Sequence, residues 1–437
     1  EKVKKWQHAL ALLLSMSHEG PEPNVITHNV AINAFDNGEE WQHVLSLVAS
    51  MRRNGIKADV VTCSAMISKC AKSEQWVQSL GLLTEMQRRG LNPNLIACGA
   101  AMSAFHKGAK WQGALCYLAE MQWSCLEQGV IHYNAATSAC EKGEEWQQAL
   151  GLLARMQRNV LEVDRITCNA VVSACQRSEE WQHALNLVVE MYQNLLEPDT
   201  ITCSAAISAC EKSGEWQIAL VLLAEMHWRS IGIDMITYSA VISACEKGRQ
   251  WQSALFLLAH MQHADMKLDV ITYNSALSAC EKGREWQHAL CLLERMQWNV
   301  IDSDLVTYCA AISACEKSEA WQAALGLLVE MQQNVLEPDV IACDAAISAC
   351  EKSRHPDKAL CLLEDMRRWE LMPGVITFNA AIWACAQSGQ LSQTLKLLAE
   401  MRQQVLLPDL ITYNAVMSAC ALGGAPQRAS LLLDEMR

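Results

Sequence analysis

Residues Val270 to Asp304 read VITYNSALSACEKGREWQHALCLLERMQWNVIDSD, and this 35-residue stretch recurs along the chain without insertion or deletion. Trp6, Trp41, Trp76, Trp111, Trp146, Trp181, Trp216, Trp251, Trp286 and Trp321 fall 35 apart, and Pro356, Leu391 and Pro426 carry the phase onward. Twelve methionines from Met51 to Met436 keep the same step. A fixed period of this size is the mark of a solenoid, in which each unit buries its apolar face against its neighbours.

Within the unit the pattern predicts two helices. The first spans roughly Thr272 to Lys282 and stops at Gly283, a position filled by Gly or Ser in every unit, as suits a helix C′ residue. The second runs from about Glu285 to Gln297. Its stripe of Ala289, Leu293 and Met296 has i, i+4, i+7 spacing, widened by Leu290. Helices of about 12 residues are not stable alone in water, so each must pack on its partner and on the next unit. Trp286 and its equivalents fall with the buried stripe and read as inter-repeat packing. Trp123, Trp228 and Trp298 fall near the ends of second helices and are expected on the outer surface.

The period overrides the two or three domains that 437 residues would otherwise suggest. Residues 25–409 read as eleven complete units, 1–24 as the back part of an earlier one, and 410–437 as an incomplete later one. Solenoids usually close with polar caps, and neither end reads as one, so the chain is expected to be part of a longer protein.

The formal charge of −13 is unlike the basic balance of most nucleic-acid binders, although charge segregated by face can override the net value. No apolar run approaches the length of a membrane span. Of the 20 cysteines, ten share one repeat position (Cys70, Cys140, Cys175, Cys210, Cys245, Cys280, Cys315, Cys350, Cys385 and Cys420). Cys63, Cys98, Cys168, Cys203 and Cys343 lie seven residues earlier, on the same helix face but about 10 Å away, too far for one disulfide or one zinc ion. They read as small apolar packing residues in a reducing compartment. The histidines form no HExxH or recurring cluster. With no phosphate loop and no nucleophile elbow, no enzyme, metal or cofactor is indicated by these residues.

The informative positions are polar and restricted. The fifth residue of the unit is Asn29, Ser64, Gly99, Asn134, Asn169, Ser204, Ser239, Asn274, Cys309, Asp344, Asn379 and Asn414. The last is Asp59, Asn94, Gly129, Asp164, Asp199, Asp234, Asp269, Asp304, Asp339, Gly374 and Asp409. The second is always aliphatic and β-branched: Ile26, Val61, Ile96, Ile131, Ile166, Ile201, Ile236, Ile271, Val306, Ile341, Ile376 and Ile411. Asn, Ser and Asp also cap helix N-termini, but capping alone does not explain Asn alternating with Ser while the flanking core stays fixed.

In its length, helix pattern and polar positions the unit resembles the pentatricopeptide repeat, in the uniform 35-residue P-type form, over the whole chain. The resemblance implies an all-α fold, a right-handed α-solenoid superhelix of helix-turn-helix repeats. It also implies a partner, single-stranded RNA read one base per repeat, with no membrane and no small-molecule substrate. In the family the second residues of adjacent repeats clamp each base. The fifth residue then faces the base edge, and the last supports it. This assigns base reading to Asn29 with Asp59, Ser64 with Asn94, Asn134 with Asp164, Asn169 with Asp199, Ser204 with Asp234, Ser239 with Asp269, Asn274 with Asp304 and Asn379 with Asp409. Short Ser leaves room for a purine, Asp offering acceptors to guanine and Asn a donor to adenine. Asn with Asp prefers uracil. The central segment then reads UUGGU from Asn134 to Asp304.

The thirteenth residue, which the family sets near the phosphates, is basic in nine successive units: Lys72, Lys107, Lys142, Arg177, Lys212, Lys247, Lys282, Lys317 and Lys352. A local basic stripe can hold RNA even on an acidic protein. The same lysines would also complement the dipoles of the first helices. The resemblance implies an organellar role in RNA processing, stability, splicing or translation. Two other functions fit a helical array: a protein-binding scaffold of the tetratricopeptide kind, and a targeting array for a catalytic domain outside this chain. The 35-residue step and the Asp-rich last position favour RNA.

Overall fold

The computed structural model describes residues 11–13, 16, 23–34, 41–72, 75–123, 128–264, 266–425 and 427–429. The partial repeat assigned to 1–24 and the second helix expected after 425 lie almost entirely outside them. Every regular element among the described residues is a helix, and the helices alternate in the order the repeat predicts. The chain divides into two compact units, 1–209 and 210–437, with the division inside the helix Thr200–Ser213.

The unit of residues 210–437 shows the packing rule. The first helices Met235–Lys247, Val270–Gly283, Leu305–Lys317, Val340–Lys352, Val375–Gln387 and Leu410–Leu422 pack on one another in sequence order. Each second helix packs on the first helix of its own repeat and on that of the next. Close approach of the first helices follows from small side chains: Ala276, Ala279 and Cys280 are fully buried, as are their equivalents Ala311, Ala314 and Cys315. Larger residues of the second helices, Leu292, Leu293 and Met296 among them, fill the remaining core. The unit of residues 1–209 repeats this arrangement, from Val60–Lys72 through Leu95–Lys107 and Val130–Lys142 to Arg165–Arg177.

Second helices are joined across repeats by long polar side chains. Gln157 donates to Glu190 at 2.7 Å, Gln297 to Glu330 at 2.6 Å, and Arg367 pairs with Glu400 at 2.8 Å. Trp228 and Trp298 stand on the outside, as their spacing predicted, and the Trp123 side chain lies outside the described part of the structure.

Two boundaries differ from the sequence reading. The first helix begins at Val270, two residues before Thr272, because Asp269 caps it by accepting from Thr272 N at 2.9 Å. That extension puts Ile271 and its equivalents in the first helical turn. The Gly position is not the left-handed one: Gly283 ends the helix and Arg284 takes φ 61°, while Gly108 and Gly248 have φ −80° and −77°. Glycine is present for space. A β-carbon at Gly248 would stand 2.1 Å from Cδ1 of Trp216, and one at Gly283 would stand 2.4 Å from Cδ1 of Trp251. At three of the Ser positions the hydroxyl donates to a carbonyl of the previous repeat, Ser318 to Arg284 O at 2.9 Å and Ser353 to Glu319 O at 2.8 Å among them, while Ser388 bonds Ala384 O of its own helix. The half-buried tryptophans therefore serve the contact between repeats.

All fifteen cysteines at the two recurrent positions are buried, and none is in a disulfide. Burial pushes the Cys245 thiol up to about 11 and, with the nearby Glu285 carboxylate, the Cys280 thiol up to about 12. They behave as small hydrophobes in the stack.

Candidate nucleic-acid interface

Each first helix presents one polar face, defined by residues at i, i+3 and i+4 spacing. At its start stands the aliphatic second residue. These residues are exposed in every repeat, from 54% at Ile411 to 74% at Ile131, although the same helices bury others such as Ile207, Ile242, Leu277, Ile312 and Ile347 completely. Water-exposed Ile or Val at one position in twelve helices has no packing explanation.

The fifth and last residues meet, and the threonine three residues past the last one joins them. Asn134 Nδ2 donates to Asp164 at 2.9 Å, and the Thr167 hydroxyl lies within bonding distance of Asn134 Oδ1 and of Asp164 Oδ1. Asn274 Nδ2 donates to Asp304 at 3.2 Å, and the Thr307 hydroxyl reaches Asn274 Oδ1 at 2.7 Å and Asp304 Oδ1 at 2.6 Å. Asn169 with Asp199 and Thr202, and Asn379 with Asp409 and Thr412, repeat the arrangement. The threonine has one proton and donates to one oxygen at a time. A carboxylate only accepts, so it turns the amide N–H₂ toward itself and fixes the Asn orientation.

The aspartate is also the N-cap of the next first helix: Asp164, Asp234, Asp269, Asp304, Asp339 and Asp409 each accept from the backbone N–H three residues on. Capping and the polar pair are thus one construction. Burial works to raise the Asp304 carboxyl, but hydrogen bonds from the Thr307 hydroxyl, the Thr307 N–H and the Asn274 amide outweigh it and hold the group below its ordinary value. Asp59, Asp164, Asp199 and Asp409 are lowered in the same way.

Serine sites are built differently. Ser239 Oγ turns back to its own helix carbonyl at Met235, 2.9 Å away, and lies 2.7 Å from the Thr272 hydroxyl. Ser204 likewise bonds the carbonyl of Thr200. Ser64 bonds Val60 O at 2.6 Å and reaches Asn94 Oδ1 at 2.8 Å. Ser64 and Asn379 are nearly covered, whereas Ser239 and Asn274 are half-buried. Asp344 stands at the fifth position opposite Gly374. Burial raises its carboxyl, the Thr377 hydroxyl opposes this, and the Asp339 charge adds to it.

Two turns further along the same face lie the basic residues. Five of them pair with a carboxylate of the preceding repeat. Lys282 Nζ meets Glu246 at 2.9 Å, Lys317 meets Glu281 at 2.7 Å and Lys352 meets Glu316 at 2.9 Å, while Lys247 and Glu211 are 3.6 Å apart and Arg177 and Glu141 3.9 Å. Ser243, Ser278 and Ser348 donate to the same carboxylates at 2.9, 2.8 and 3.0 Å. From Glu211 to Lys352 the rungs follow one another from repeat to repeat. Sequence reasoning missed the glutamates, although SACEK recurs intact from Ser138, Ser208, Ser243, Ser278, Ser313 and Ser348. In the other unit, Lys107 Nζ donates to Lys72 O at 3.0 Å.

Among the described residues no group of three or more His, Cys, Asp or Glu could hold a metal ion, and no helix is long and apolar enough to cross a membrane.

A polar pair recurring at one position of successive helical repeats, flanked by exposed aliphatics, defines a modular helical-repeat array. The pentatricopeptide repeat domain profile matches residues 46–97, 151–213, 186–249, 256–318, 326–388 and 361–424, and the single PPR repeat profile matches 236–266 and 306–334. These spans cover well over half of the sequence, and the chain belongs to the pentatricopeptide repeat family. Among solved structures it is similar to the pentatricopeptide repeat protein PPR10 from maize, with 19% identity and a TM-score of 0.48 over 100% of this chain and 72% of that one. It is also similar to PPR10 in complex with an 18-nt psaJ RNA element, with 18% identity and a TM-score of 0.43 over 100% and 72%. The PPR domain of Arabidopsis thaliana protein-only RNase P 1 in complex with tRNA gives 15% identity and a TM-score of 0.37 over 41% of this chain and 94% of that one. No curated protein sequence matches the chain.

Proposed function

We propose that this array binds single-stranded RNA with base selectivity, one base per repeat, and that its work lies in organellar RNA metabolism, the setting suggested by family membership. The observation that carries the reading is the row of exposed Ile and Val residues, beside which Asn134, Asn169, Asn274 and Asn379 are each fixed by an aspartate. Flat bases need apolar faces to stack on and polar groups at their edges, and unstacked RNA offers both.

The two kinds of site present different chemistry. With one amide hydrogen on Asp304 and Oδ1 near Thr307, Asn274 keeps a second N–H and a second lone pair, a donor and an acceptor side by side. Uracil offers the complement, a carbonyl oxygen beside its N3–H. At Ser239 the hydroxyl proton is turned to Met235 O, so Oγ and the Asp269 carboxylate present acceptors. Guanine offers N1–H and an amino group. The structure supports these roles by geometry, and the clamp roles of Ile236, Ile271 and Val306 by exposure.

The test is Ser239→Asn. The wild-type protein should prefer an RNA carrying UUGGU over one carrying UUGUU, and the variant should reverse the order. A wrong base costs about 1–3 kcal/mol by analogy with duplex readout, so each preference should be about tenfold or more. If both proteins rank the two RNAs alike in competition, the fifth residue does not read bases and a protein-binding array becomes the better account.

A further inference from the structure

We propose that Glu246, Glu281 and Glu316 are specificity-determining residues that hold the stripe of lysines in check. By occupying the ammonium groups, they keep the face from binding RNA by its backbone alone. The inference rests on the RNA-binding reading above.

The geometry is regular. Each carboxylate sits between two adjacent first helices and takes the ammonium of the next repeat at 2.7–2.9 Å. The glutamate side chains are only 19–22% exposed, and the lysines 33–39%. Ser278 and Ser348 fix two of the three carboxylates from the same neighbouring helix that supplies the lysine. The result is a row of opposite charges on the polar face, about 12 Å along the helix from the fifth residue.

A free lysine row would attract any single strand, because phosphate contacts carry no sequence information. A lysine already held by a half-buried carboxylate must leave it, or share it, to take a phosphate. The loss is greatest for a strand held by its backbone alone, which can follow the lysine row freely, and smaller for one whose phosphates are placed by its base contacts. Base contacts, which differ between RNAs, are left to decide the outcome. Selectivity is a difference of affinities, so it is this unequal loss that sharpens it.

The experiment compares the full chain with the triple variant Glu246→Gln, Glu281→Gln and Glu316→Gln. Glutamine keeps the shape and can still accept from Ser278 and Ser348. The probes are a single-stranded RNA carrying UUGGU and an oligo(rC) strand of equal length, each titrated over a range of salt. The variant should bind both more tightly, with the larger increase on oligo(rC), and show a salt slope steeper by roughly 0.7 for each additional phosphate that a lysine neutralises. Adding Lys282→Gln, Lys317→Gln and Lys352→Gln to the variant should return the slope to the wild-type value. If the slope stays steep without those lysines, the tighter binding came from net charge and the inference is wrong. An unchanged slope in the triple variant, with wild type still ranking UUGGU first, overturns the inference and leaves the RNA reading standing. If wild type binds neither strand, both fall together. Should the triple variant melt at a lower temperature by circular dichroism, Glu281→Gln alone carries the same test at about one third of the slope change.

Discussion

Asn274 and Lys282 stand on the same face of one helix, about 12 Å apart along it, and their surroundings are organised by opposite rules. Around Asn274 the partners are Asp304 and Thr307, at the junction with the following repeat. Each such site is closed by its own three residues. One can become Ser239 with Asp269, another Cys309 with Asp339, without disturbing the next. Around Lys282 the partner belongs to the preceding repeat, and the next rung, Glu281 with Lys317, starts one residue away. The rungs repeat one chemistry, Glu with Lys, from Glu211 to Lys352. A face built this way can carry different information at one end and a common property at the other.

The strongest way to break the variable end is Asp304→Ala. It removes the cap on Thr307 N and the acceptor for Asn274 together. A lost N-cap costs about 0.5–2 kcal/mol, and denaturant melts or amide exchange in Leu305–Lys317 should show it. Because the folded-state carboxyl lies below its unfolded value, the contribution is fully present above an ordinary Asp pKa of about 4. It is lost as pH falls through the lower folded value. Wild type and variant should therefore differ at neutral pH and converge in strong acid. A difference that persists in strong acid would mean the aspartate acts by something other than its charge.

The common end is interrupted naturally at Glu351. The positions that would supply its hydroxyl and ammonium are Trp383 and Gln387. Burial pushes the Glu351 carboxyl up to about 7, Lys352 opposing and Glu316 adding to the rise. A raised carboxyl means the folded state holds the proton longer, so stability falls as pH rises from about 4.3 through 7. Gln387→Lys should extend the ladder by one rung and remove that fall. The stabilisation at pH 8 should be up to about 1 kcal/mol, the range of a partly exposed pair, and should vanish near pH 4. No stabilisation at pH 8 would mean that the lysine at this position does not reach Glu351.

The smallest expected effect sharpens the same point. Glu351→Gln should flatten the pH dependence of melting between about 5 and 8, with a shift of a degree or so at pH 8. Carboxyl NMR should find Glu351 titrating about 7 in the wild-type chain, well above the usual carboxylate range. A Glu351 midpoint in the ordinary range would remove the distinction between the interrupted rung and the intact ones.

The sequence by itself determined the repeat, the helix pairs and which residues are buried, because a fixed period fixes which positions recur on which face. Trp251 and Trp286, Met261 and Met296, Cys245 and Cys280 need only their spacing to be read as packing residues. The exposed face was legible too: Ile271, Asn274 and Lys282 share it by helical geometry, although their roles came from resemblance to a family and not from spacing. Partnership between repeats was not legible, since a period says which residues are equivalent and nothing about which equivalent touches which. Only the packed structure brought Thr307 to Asn274, set Trp251 against Gly283, and placed Glu246 against Lys282. Those contacts join residues about one repeat apart in the chain. They depend on the close approach of first helices that Ala276, Ala279 and Cys280 permit, and such distances are set by how small side chains pack in three dimensions.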